Sequence, residues 1–151
     1  MRRTLVVLAA ATLGGAVAIG IGAALAWGLW LLAFVAAGGF LVVAYNLELA
    51  GGRFHTDAWF ALAWGGFPVL TGYFVEAQVL RVEAVLAAAF ATLLSLAQRL
   101  LSTPVRRIRR GGADVDDETR AALLTAPEAA LRALWPATAV LAAALVVVRV
   151  T

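Results

Sequence analysis

From Leu5 to Ala26 the chain contains no charged side chain, and this run constrains the fold more than any other feature. As an α-helix its ~22 residues extend about 33 Å, enough to cross the ~30 Å hydrocarbon core of a bilayer. The preceding Met1-Arg2-Arg3 and the small residues Ala16-Val17-Ala18 also fit a secretory signal, but the apolar core of a signal is usually shorter. A retained membrane span is therefore expected. Gly14, Gly15, Gly20 and Gly22 suit a helix that packs closely in lipid, where small residues let backbones approach.

The rest of the chain supports the same class. Of its 151 residues, 64% are hydrophobic and 14% charged, more apolar surface than a soluble domain of this size can bury. The absence of cysteine excludes disulfides and thiolate-held metals. All twelve basic residues are arginine, so neither a Schiff-base lysine nor a P-loop lysine exists. The formal charge of +3 is concentrated at the ends of apolar segments, a pattern that suits anionic lipid and a membrane face rather than nucleic acid.

Four further spans are predicted, at about 29–47, 58–75, 84–101 and 134–148, giving one all-α membrane domain of about five helices over residues 1–151. Trp27-Gly28-Leu29-Trp30 reads as an interfacial turn between the first two. Pro68 removes a helical hydrogen bond and is expected to kink the third. Residues 103–133 are expected to form the one sizeable extramembrane segment. It holds the basic cluster Arg106, Arg107, Arg109 and Arg110, then the acids Asp114, Asp116, Asp117 and Glu118. Thr125 and Glu128 fit a capping box that starts an amphipathic helix near Ala126, with Leu124, Leu131, Leu134 and Trp135 near one face. The fifth span is short, and Arg149 at its end is expected to snorkel.

With the N-terminus on the cytoplasmic side of a cell membrane, ten arginines face inward and two, Arg81 and Arg149, face outward. The inner side then carries both the loop 48–57 and the segment 103–133.

That first loop joins two apolar segments and gathers varied polar chemistry: Tyr45, Asn46, Arg53, Asp57 and the only histidine, His55. An arginine there can clamp a phosphate, and a histidine with an aspartate can act as a base pair or share a metal. The same residues also suit an ordinary polar loop at the interface, where charge is inexpensive. The acids at 114–118 present oxygen ligands for Mg²⁺, or simply a solvated helix start whose charges complement the dipole. Ser95 and Ser102 are the only serines, and no Ser-His-Asp arrangement or nucleotide-binding glycine motif is readable.

Tyr45-Asn46, the basic loop after them, and Trp64-Gly65-Gly66-Phe67-Pro68-Val69-Leu70-Thr71-Gly72-Tyr73 resemble the central helices of UbiA-type intramembrane prenyltransferases. The resemblance extends over about residues 4–110 and implies a partial or divergent member, half of that fold. The family's two aspartate-rich motifs, which hold Mg²⁺ and a prenyl diphosphate, have no counterpart before the first span or after the fourth. There the chain reads Ala97-Gln98-Arg99-Leu100-Leu101-Ser102-Thr103-Pro104. The family's lysine near the tyrosine is also absent, and Arg53 is the nearest cation. The implied function is binding of an isoprenoid or other lipid between the helices, with Tyr45, Asn46, Arg53, His55 and Asp57 at the rim. Any catalysis implied is prenyl transfer with Mg²⁺, using aspartates from outside this chain. The rival expectation is a noncatalytic membrane subunit or scaffold whose small-residue faces meet a partner chain or a second copy.

Overall fold

The computed structural model of the chain describes residues 2–111 and 116–150, with side chains except at 2, 144 and 147–150. Asp114 and the side chain of Arg149 therefore lie outside the described residues. No strand occurs among the described residues. The elements are α1 (Arg2–Trp27), α2 (Leu31–Asn46), the short α3 (Leu49–Gly52), α4 (Asp57–Ala61), a π-helical turn (Leu62–Gly66), α5 (Phe67–Ala77), α6 (Val82–Arg109) and α7 (Asp117–Val150).

The fold is an all-α membrane bundle. Three helices are long and apolar enough to cross a bilayer: Arg3–Trp27, the continuous rod Asp57–Ala77, and Val82–Arg109. The apolar α2 is shorter, because the turn Gly28 to Trp30 takes the first residues expected of it. Gly28 at φ +153 makes that turn possible.

The described residues form two compact units, Met1–Ser95 and Leu96–Thr151. In the first, the contacts are made by small residues and rings. A Cβ on Gly20 of α1 would lie 2.6 Å from Val35 Cγ2 of α2, so these helices touch almost backbone to side chain. Phe34 of α2 stacks on Phe74 of α5 with centroids 4.8 Å apart, and Gly38 makes room for the Phe67 ring. The buried apolar residues here are Ala24, Leu31, Ala44, Ala61, Ala84 and Ala88, while Leu5, Val6, Ile19 and Leu25 along α1 are exposed. An apolar exterior around a thin core of small residues matches a lipid surround rather than water.

The irregularity in this helix lies just ahead of Pro68. The turn before it widens into π geometry, with Phe67 N–H reaching Leu62 O, and Pro68 enters the first turn of α5, where its missing N–H is tolerated. The widened turn presses Gly65 and Gly66 onto α6. A Cβ on Gly65 would lie 2.5 Å from the Ala91 carbonyl oxygen.

In the second unit, residues 103–109 continue α6 as helix. Arg106, Arg107 and Arg109 form the last turn of α6, continuous with the fourth apolar stretch. Helix α7 begins at Asp117, about nine residues before the expected start near Ala126. Asp116 supplies the cap: Thr119 N–H donates to its Oδ1 at 2.9 Å and Thr119 Oγ1 to its Oδ2 at 2.8 Å. The Thr125–Glu128 capping box does not form, because the helix is already running there. Thr125 Oγ1 donates back to Ala121 O at 2.7 Å, and Glu128 pairs instead with Arg109.

Candidate functional site

The loop after α2 is built on backbone that few residues tolerate. Glu48 and Ala50 sit at φ +51 and +54, and Gly51 and Gly52 at +69 and +84, so the chain reverses within a few residues. Thr56 then caps α4 by accepting from Trp59 N–H at 3.2 Å, and Asp57 places a carboxylate at the positive end of that helix.

This reversal lays His55 on Tyr45. The two rings stack at a centroid distance of 4.4 Å and an angle of 25°, and His55 Nδ1 is 2.9 Å from Tyr45 O. Since a carbonyl only accepts, the imidazole donates this bond through Nδ1–H. Tyr45 in turn meets Trp64 edge-on at 5.1 Å, and Trp64 stacks on Phe60 at 5.1 Å and 9°. A second aromatic group, Phe40, Phe54 and Trp59, flanks the loop, with Phe54 central at 5.3 Å from Phe40 and 5.0 Å from Trp59.

Of the five residues singled out from the sequence, Tyr45 and His55 are brought together directly. Arg53 lies exposed two residues before His55. Asn46 turns back, its amide donating to Val42 O of its own helix at 2.8 Å. Asp57 serves the start of α4. The aromatic partners Phe60 and Trp64 carried a legible signal: four residues apart, they share one helix face.

Beneath this rim lies an apolar cleft of about 340 Å³ between α1, α2 and the π-helical rod. Leu13 and Val17 of α1, Val35 and Val42 of α2, and Trp64 and Phe67 form its walls. Trp64 belongs to both features, lining the cleft and touching Tyr45. Gly38 and Gly39 keep the α2 wall low, a property that no single motif announces.

No group of three or more His, Asp and Glu side chains able to hold a metal ion occurs among the described residues. Asp116 is engaged as a helix cap, and its carboxyl is held below the ordinary value of 3.8 first by the Thr119 amide and then by the Thr119 hydroxyl. No family model, curated protein or solved structure matches this chain.

Proposed function

We propose that this chain is a UbiA-like integral membrane protein that holds the apolar tail of an isoprenoid or another lipid, with the lipid's polar head at the rim formed by Tyr45, Arg53 and His55. The observation that carries this reading is the shared position of Trp64. It walls an apolar cleft and braces the one polar, histidine-bearing loop, so a ligand with a greasy tail and an anionic head meets matching chemistry at both ends. The cleft volume lies at the lower end of the range for small-molecule sites, and its lining is almost wholly apolar. The arginine distribution supports a position of this rim on the cytoplasmic face of a cell membrane. Catalysis of prenyl transfer would require carboxylates outside this chain to hold Mg²⁺.

The test uses the purified full chain with geranylgeranyl diphosphate and Mg²⁺, and with the matching alcohol, read by quenching of tryptophan fluorescence. Both ligands are expected to bind, and Ala16→Phe, which places a ring in the cleft, is expected to weaken both. Arg53→Gln and His55→Gln are expected to weaken the diphosphate alone, by about tenfold each if one charge-assisted hydrogen bond is lost. No binding by either ligand, with no effect of these changes, overturns the reading.

A second reading rests on α1. Gly14, Gly15 and Gly22 have nothing within 4 Å of where a Cβ would stand, so among the described residues these positions meet no neighbour. Such a face suits a partner helix, as expected of a noncatalytic membrane subunit or a homo-oligomer. Stable copurification of a partner from native membranes supports this reading; a monomer carrying lipid in the cleft counts against it.

A further inference from the structure

The second unit contains a groove of about 370 Å³ between the last turns of α6 and the first half of α7. Its floor is Ser102, Val105 and Leu131, and its rim is Arg106, Arg109, Arg132 and Glu128. Only the first two arginines belong to the basic cluster visible in the sequence. Arg132 arrives from α7, more than twenty residues on, because α7 folds back along α6.

Glu128 explains how the rim stays assembled. A single oxygen, Oε1, accepts from Arg109 Nε at 2.8 Å and from Arg109 Nη2 at 2.7 Å. The Glu128 side chain is only 20% exposed, so this pair locks the two helices at the groove. One N–H edge of the Arg109 guanidinium is used in this way, leaving further donors on Nη1. Among the described residues Arg106 makes one long contact, of 3.4 Å to Thr103 Oγ1, which leaves most of its donors for another acceptor there. Three guanidiniums against one carboxylate leave two positive charges in a single concavity. Guanidinium forks match the spacing of phosphate oxygens, and such bonds gain strength from charge.

The floor indicates where the phosphate would come from. Val105 is buried, and α6 continues from this rim directly into its apolar stretch. Leu101 and Arg106 are five residues apart, about 7.5 Å along the axis, a distance comparable to the depth of a headgroup layer. We propose that this groove binds the phosphate of an anionic phospholipid, held by Arg106, Arg109 and Arg132 and positioned by the Arg109–Glu128 pair. It is a defined site that shares no lining residue with the cleft of the first unit. It also differs from a diffuse basic surface, to which the exposed Arg107 and Arg110 would contribute equally.

That distinction supplies the experiment. The delipidated full chain in detergent is titrated with phosphatidylglycerol, phosphatidylcholine or inorganic phosphate, and retained ligand is read by native mass spectrometry. Phosphatidylglycerol is expected to be retained over phosphatidylcholine. The double change Arg106→Gln with Arg132→Gln should lower phosphatidylglycerol affinity at least about tenfold, since two charge-assisted bonds are removed. Arg107→Gln with Arg110→Gln removes the same charge outside the groove and should leave affinity within about twofold. Helicity by circular dichroism verifies that both variants fold. Ala16→Phe, which fills the other cleft, should leave this binding unchanged, so failure here is separable from failure of the proposed function. Equal losses in the two double variants, or no preference for the anionic lipid, overturn the site. Displacement of the lipid by inorganic phosphate at similar concentration overturns the lipid as its source.

Discussion

Gly65 has a close-packing role that Gly39, also on an apolar helix, does not share. A Cβ at Gly65 would meet the Ala91 carbonyl oxygen at 2.5 Å and Ser95 Cβ at 2.9 Å, whereas a Cβ at Gly39 meets nothing within 4 Å. The neighbour at Gly65 is backbone and cannot rotate away, so the π-helical turn and α6 would have to separate. Gly65→Ala should therefore destabilise the fold by about 1–3 kcal/mol, as overpacking typically does. Gly39→Ala should be neutral or slightly stabilising, since alanine is the better helix former. The unfolding midpoint in denaturant, followed by tryptophan fluorescence in detergent, measures both. Equal effects would mean that the crossing at Gly65 is looser than described. The two glycines read alike in the sequence, because periodicity records which residues are small and not which meet a neighbour. For the same reason the sequence singled out His55 and Tyr45 as polar neighbours of a loop, while their stacking depended on the left-handed backbone at Glu48 and Ala50. Neither residue type forecasts positive φ.

At the scale of elements, the apolar stretches were legible and the ends of α6 and α7 were not. Length and the lack of charge sufficed to locate α1, the rod 57–77 and the apolar part of α6, because lipid imposes those requirements on any span. The start of α7 was misplaced because two cap signatures competed. Thr125 with Glu128 looked like a capping box, but Asp116 lies earlier and engages Thr119 through both its backbone and its side chain. This choice has a pH signature. The Asp116 carboxyl is held below its ordinary value of 3.8, with the Thr119 amide the main cause. A carboxyl whose folded pKa is depressed stabilises the fold above the unfolded value and loses that contribution as pH falls through the folded one. The first turn of α7 should therefore fray as pH drops below about 4, the ordinary aspartate range. Asp116→Asn keeps a good cap residue without a titrating group, so its protection factors, which are corrected for intrinsic exchange, should be flat across the same window. Amide hydrogen exchange at residues 117–121, compared between wild type and Asp116→Asn from pH 5 to 3, reads the difference. Identical pH profiles would show that Asp116 does not control the start of α7.

For the whole molecule, the open question is which connections share a side of the membrane, and two independent features bear on it. The arginines fall ten to two if each apolar segment crosses in turn. Within the first unit, Gly28 comes so close to Gln78 that an added Cβ would stand 3.1 Å from its Oε1, which brings the turn after α1 and the turn after α5 to one end. The weak link is α2. Its 16 residues span about 24 Å, less than the ~30 Å core, so crossing requires local thinning or anchoring by the flanking aromatic residues. The chain has no cysteine, so single cysteines can be mapped without background. If α2 crosses, Arg53→Cys and Arg110→Cys should react with an impermeant maleimide from the cytoplasmic side of inverted vesicles. Leu29→Cys and Val79→Cys should react only from the opposite side. Should Arg53→Cys label together with Leu29→Cys, α2 would be a re-entrant segment. The rim of Tyr45, Arg53 and His55 would then lie on the outer face, away from any cytoplasmic diphosphate. The same four variants therefore test both the number of crossings and the side from which a ligand could reach the cleft.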